Sequence, residues 1–169
     1  RVPPPRQSRR LARHCDLREY ELMASDYERD NWLWRDDALA GGPAVIFDID
    51  GVLADAAGRQ HYLEWGDWHS FFEACGDDPV IEEIERLLEL LSDDLHVILV
   101  TGRPRRVQPH TVAWLQRYGL RWDLLIMREF GDYSGVEDFK RRVVRDLRGH
   151  GFDLRLALDD DPKNHAMYV

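Results

Sequence analysis

An α/β domain built on a parallel sheet is the fold class this sequence predicts, and three observations carry the prediction. Four short apolar runs, at 44–49, 96–101, 124–127 and 154–158, are separated by stretches whose apolar residues recur at three- and four-residue steps. The runs themselves show little period-two alternation, which fits strands buried on both faces. Strand and helix taking turns implies parallel strands joined by right-handed crossovers, with a ligand crevice beyond their carboxyl ends.

Ahead of the first run lies an extension, 1–43, and the domain proper is expected over 44–169. Residues 1–18 hold six arginines and the triple proline Pro3–Pro5, which resists regular structure and reads as a basic arm. From Leu17 to Leu39 the chain turns acidic and aromatic. Tyr20, Tyr27, Trp32 and Trp34 are spaced so that a helix would place them partly on one side, making 17–39 a candidate surface for packing or homo-oligomer contacts. Gly41, Gly42 and Pro43 then mark the boundary.

The first strand follows at Ala44–Ile49. An excursion, 54–78, carries Tyr62, Trp65, Trp68, Phe71 and Phe72 and is too short for a separate cap domain. Val80, Ile81, Ile84, Leu87, Leu88 and Leu91 write the first long helix, and His96–Thr101 the second strand. Val112, Leu115 and Tyr118 mark the next helix, Leu124–Met127 the third strand, and Phe139, Val143 and Leu147 the last long helix before Leu154–Leu158.

The net charge of −9 argues against a broad sequence-independent nucleic-acid sleeve, which needs many Lys and Arg against phosphates, but not against gripping one phosphate end. Cys15 and Cys75 are too few for a disulfide framework, so a cytoplasmic location is expected; no apolar run approaches the roughly 20 residues of a membrane span. The chain opens at Arg1 without a methionine, which fits a piece of a longer polypeptide.

At the carboxyl ends of the strands the residue types become chemical. The first run ends in Asp48 and Asp50, the second in Thr101, Gly102 and Arg103, the fourth in Asp159, Asp160 and Asp161. So many carboxylates on one rim favour a shared cation, and oxygen ligands of this kind suit Mg²⁺. Next to such an ion a carboxylate is a workable nucleophile toward phosphorus, and a second carboxylate two residues on can protonate the leaving alcohol. Gly51 lets the backbone turn tightly and leaves amides to face a phosphate. Lys140 would meet the equatorial oxygens. Alone, each piece reads as a turn, a cap or a solvated helix residue. Their joint occurrence at successive strand ends is what points to a site.

The stretches "VIFDIDGVL", "VILVTGR" and "LALDDD", together with Lys140, resemble the haloacid dehalogenase superfamily of phosphohydrolases. That resemblance implies a Rossmann-like core, Mg²⁺, Asp48 as nucleophile, Asp50 as general acid and base with its main-chain oxygen on the metal, and Asp159 or Asp160 as a further ligand. Within the superfamily, Gly58-Arg59, Arg103 and "REFGDYSGVEDFK" are similar to the 3'-phosphatase domain of phage-type polynucleotide kinase-phosphatase, which implies that Arg59, Gly102 and Arg103 serve substrate binding. The chain departs from that family at Val136, where the family has an aspartate, with Glu137 beside it. The sequence has no Gly-x-x-x-x-Gly-Lys-Ser/Thr loop, so a kinase half is not in it. The expected activity is removal of 3'-phosphate or 2',3'-cyclic phosphate from nucleic-acid ends or nucleotides through an aspartyl phosphate. Two other readings stand beside it: a small-molecule phosphatase such as a 5'-nucleotidase, and a non-catalytic assembly module recognising partners through 1–39.

Overall fold

The computed structural model describes residues 31–129 and 131–168. The basic arm, Cys15, and most of the segment 17–39 lie outside the described residues.

Five strands form one sheet in the order β1-β4-β3-β2-β5: β1 Trp32–Trp34, β2 Gly42–Phe47, β3 His96–Pro104, β4 Leu124–Arg128 and β5 Phe152–Leu158. β2, β3, β4 and β5 are parallel to one another, and β1 pairs antiparallel with β4. Among the described residues six α-helices accompany the sheet: α1 Gln60–Glu64, α2 Trp68–Glu73, α3 Glu82–Leu90, α4 Gln108–Arg117, α5 Val136–His150 and α6 Pro162–Tyr168.

The missing alternation in β2, β3 and β4 has a direct cause. Successive side chains point to opposite faces, and both faces are covered. Val45, Phe47, Val97, Leu99, Leu125 and Met127 pack with Leu88 of α3 and with Trp114 and Leu115 of α4. Ala44, Ile46, Ile98, Val100, Leu124 and Ile126 pack against Phe139, Val143, Val144 and Leu147 of α5. α5 stops where its sequence says it should, at Gly151 in the left-handed region with φ 106°.

Two expectations give way. Trp32 and Trp34, read as helical, form strand β1, paired with Leu124–Ile126. The fourth run is not buried on both faces: β5 is the sheet's other edge, with Arg155 and Leu156 exposed.

β2 lies between β3 and β5, so the chain leaves it toward one neighbour and later returns to the other. Crevices in open α/β sheets form at such a switch point, and Asp48 follows β2 directly.

Candidate active site

The loop after β2 is wound around one carbonyl. Ile49 O accepts from the amides of Val52, Leu53 and Ala54, while Asp48 N donates to Leu158 O of β5 at 2.9 Å. Gly51 turns this loop at φ +79°, and a Cβ there would lie 2.3 Å from an Asp160 carboxylate oxygen. Its own amide donates to Ala54 O at 2.9 Å. Gly51→Ala is therefore expected to lower kcat at least tenfold by displacing Asp160 while adding backbone strain of about 1–2 kcal/mol; steady-state kinetics with a thermal melt checks both.

Asp48 is 7% exposed. Its Oδ1 accepts from Ile49 N at 2.7 Å, and its Oδ2 accepts from Lys140 Nζ at 2.5 Å. Lys140, fully buried in α5, also donates to Asp159 Oδ2 at 2.6 Å and thus bridges the ends of β2 and β5. Burial pushes the Asp48 carboxyl up to about 7 against the pull of Lys140. Burial alone would lower Lys140, but Asp48 and Asp159 hold it above its ordinary value, so it keeps its charge. Asp159 is also opposed by burial, yet bonds from Lys140, Asn164 and Tyr168 hold it below the usual carboxylate range.

Asp48, Asp159 and Asp160 each bring one oxygen to within 4.8 Å of the others, a donor set that fits a hard divalent cation. The two last differ in what else they bind. Asp159 accepts from Asn164 and from the Asp161 amide on Oδ1, and from Lys140 and Tyr168 on Oδ2. Asp160 opens on the crevice, where partial desolvation of its carboxyl and the neighbouring Asp159 charge push it upward.

Arg59 and Arg103, expected to bind substrate, are buried behind Asp50. They are 2% and 0% exposed and neither lines the crevice. Both reach Asp50 Oδ1: Arg59 through Nη2, Arg103 through Nε at 3.0 Å and Nη2 at 2.6 Å. Behind them Asp78, 5% exposed, accepts from Arg59 Nε and Nη2 at 2.9 and 2.8 Å and from Arg103 Nη2 at 3.1 Å. Burial raises the Asp78 carboxyl against these cations and raises the demand for them in turn. Two guanidinium groups buried this deeply need carboxylates more than solvent, and two of each sign balance. Asp50 Oδ1 is thereby fixed by three N–H groups, while among the described residues no hydrogen bond reaches its Oδ2.

Thr101 is fully buried yet lines the crevice, and its hydroxyl accepts from Arg103 N at 3.2 Å, which leaves its hydrogen to donate. Gly102 also lines it, with Val136 packed so close that a Cβ would sit 3.2 Å from the valine. The structure so brings Asp48, Asp50, Thr101, Gly102, Lys140 and Asp160 to one crevice of about 1270 Å³, with Asp159 beneath Lys140. Asp78, Asn164 and Tyr168 were not singled out from the sequence. Only charge balance for the buried arginines would have called for a residue like Asp78.

Comparison with known proteins gives the following. Residues 42–168 match the family model described as the polynucleotide kinase PNKP phosphatase domain. A chain of the Pnkp1/Rnl/Hen1 RNA repair complex is 25% identical with a TM-score of 0.64, over 80% of this chain and 42% of that one. A second solved Pnkp1/Rnl/Hen1 complex gives 24% identity and a TM-score of 0.65, over 80% of this chain and 44% of the other. The chain thus spans less than half the length of the solved chains it matches.

Proposed function

We propose, from the premise that this chain belongs to the polynucleotide kinase PNKP phosphatase domain family and is a phosphatase of the haloacid dehalogenase type, that it removes phosphate from the 3' end of a polynucleotide or nucleotide. The observation that carries the chemistry is the juxtaposition of Asp48 with Lys140 and of Asp50 with two arginines at one strand end.

In this reading Asp48 attacks phosphorus, forming an aspartyl phosphate as the bond to the leaving 3'-oxygen breaks. Asp50 gives that oxygen its proton from Oδ2, then takes a proton from the water that attacks the aspartyl phosphate and releases inorganic phosphate. Lys140 holds Asp48 in place and offsets charge on the transferring group, and the Thr101 hydroxyl is placed to donate to it. Mg²⁺ held by Asp48, Asp160 and the Asp50 main-chain oxygen, with Asp159 supporting, would neutralise the repulsion between the nucleophile and the phosphate. Among the described residues no helix is long and apolar enough to cross a membrane.

Phosphate release from a 3'-phosphorylated oligonucleotide, a 5'-phosphorylated oligonucleotide and nucleoside 5'-monophosphates tests the substrate. The 3' end is expected to give the highest kcat/KM. Preference for free 5'-nucleotides would move the assignment to a small-molecule phosphatase, and no turnover of any would leave an assembly module.

A further inference from the structure

Resting on that reading, we infer that the exposed face of Trp68 is the platform for the terminal nucleobase of the substrate, and that stacking there, rather than charge along a strand, supplies recognition beyond the reacting phosphate.

The crevice extends from the carboxylates to a wall formed by α1 and α2, where Leu63, Trp68 and Phe72 stand. Trp68 is 58% exposed but firmly mounted. It begins α2, whose first turn is capped by Asp67 accepting from Ser70 N at 2.9 Å, and its ring is backed edge-on by Phe71 at 6.1 Å and at a 33° tilt by Phe72 at 6.2 Å. Phe71 in turn carries the Arg59 guanidinium 4.1 Å above its ring centre, and Arg59 holds Asp50. The indole is therefore one ring contact, one cation–π contact and one ion pair removed from the carboxylate that handles the leaving oxygen. A large aromatic left this exposed inside a crevice, on a braced helix, has the form of a stacking surface.

Charge makes the complementary argument. The acids lining the crevice are Asp48, Asp50, Asp55, Glu129, Asp132, Asp160 and Asp161, against Arg105, Arg106, Arg128 and Lys140. Arg105 is engaged with Glu129 at 2.8 Å and Arg106 with Glu73. With both of these paired to acids, few free cations line the crevice to track a polyanion, whose binding depends on them along the backbone. An uncharged base meets no such obstacle, and every base has a face to stack, so the contact is tolerant of base identity.

The test compares a 3'-phosphorylated oligonucleotide ending in a normal nucleoside with one ending in an abasic sugar, on the full chain, its Trp68→Ala variant and its Trp68→Phe variant. Trp68→Ala is expected to raise KM for the base-bearing end roughly 5- to 100-fold and to leave the abasic end unchanged, with Trp68→Phe close to the parent. Equal changes at both ends, or none at either, overturn the platform. The same variants on nucleoside 5'-monophosphates against ribose 5-phosphate separate the two layers: base-dependence there, with no turnover of 3' ends, sustains the platform and rejects the 3' assignment. If none of these substrates turns over, binding of the two oligonucleotides is compared in the same way, and base-independent affinity overturns the platform.

Discussion

Asp48→Asn is expected to reduce phosphate release on the order of 10⁵-fold, the scale on which removal of a covalent nucleophile acts when the rest of a site is intact. The amide matches the carboxylate in size and can still accept from Ile49 N, so the loop around Ile49 O has no reason to open. What it cannot do is form an acyl phosphate with phosphorus. Lys140 keeps Asp159 as a partner, so the variant also retains a charged pair at the bottom of the crevice. Initial-rate measurements on the 3'-phosphorylated oligonucleotide, beside a thermal melt showing that the variant folds, decide the matter. A folded variant with turnover within tenfold of the parent would sink Asp48 as nucleophile and pass the role to another group of the crevice.

Much of this site was legible in the sequence because its parts are local. Asp48 and Asp50 are placed by the strand that precedes them, Thr101 and Asp159 likewise, and Lys140 by its turn of α5, so reading strand ends and helix periods is enough to converge them. What could not be read depends on contacts across the chain. Trp32, Leu33 and Trp34 are too few to display a period, and only their pairing with Leu124–Ile126 makes them a strand. Arg59 and Arg103 sit at positions that a motif associates with a phosphate site, but which way a guanidinium faces is settled by its counterion. That counterion, Asp78, lies 19 residues from Arg59 and 25 from Arg103 in sequence. It stands in a stretch with no periodic signal, ahead of Pro79, and its carbonyl is pinned by Trp114 Nε1 at 2.7 Å. β5 could have been recognised as an edge from the charged residues Asp153 and Arg155, which alternate with its apolar ones.

The inward arginines lead to the second large effect, at a residue that touches no substrate. Asp78→Asn removes one of the two carboxylates that balance Arg59 and Arg103, leaving an excess positive charge in a site closed to water. Breaking a buried pair in this manner costs about 3–5 kcal/mol, a large share of the roughly 5–15 kcal/mol that holds a domain folded. At about 2–4 °C per kcal/mol for a chain of this size, a fall in Tm on the order of 10 °C is expected. The kinetic consequence falls on kcat. With one anchor gone, both guanidinium groups lean further toward Asp50, and its Oδ2 shifts from the line to the leaving group; a misplacement of about 1 Å is enough for roughly 10²-fold. KM should stay within a few-fold, because neither arginine lines the crevice. Asp78→Glu, which restores the charge on a longer arm, should recover part of both losses. If Asp78→Asn instead raises KM strongly at unchanged kcat, the arginines reach the substrate after all, and their place behind Asp50 describes only the protein without its ligand.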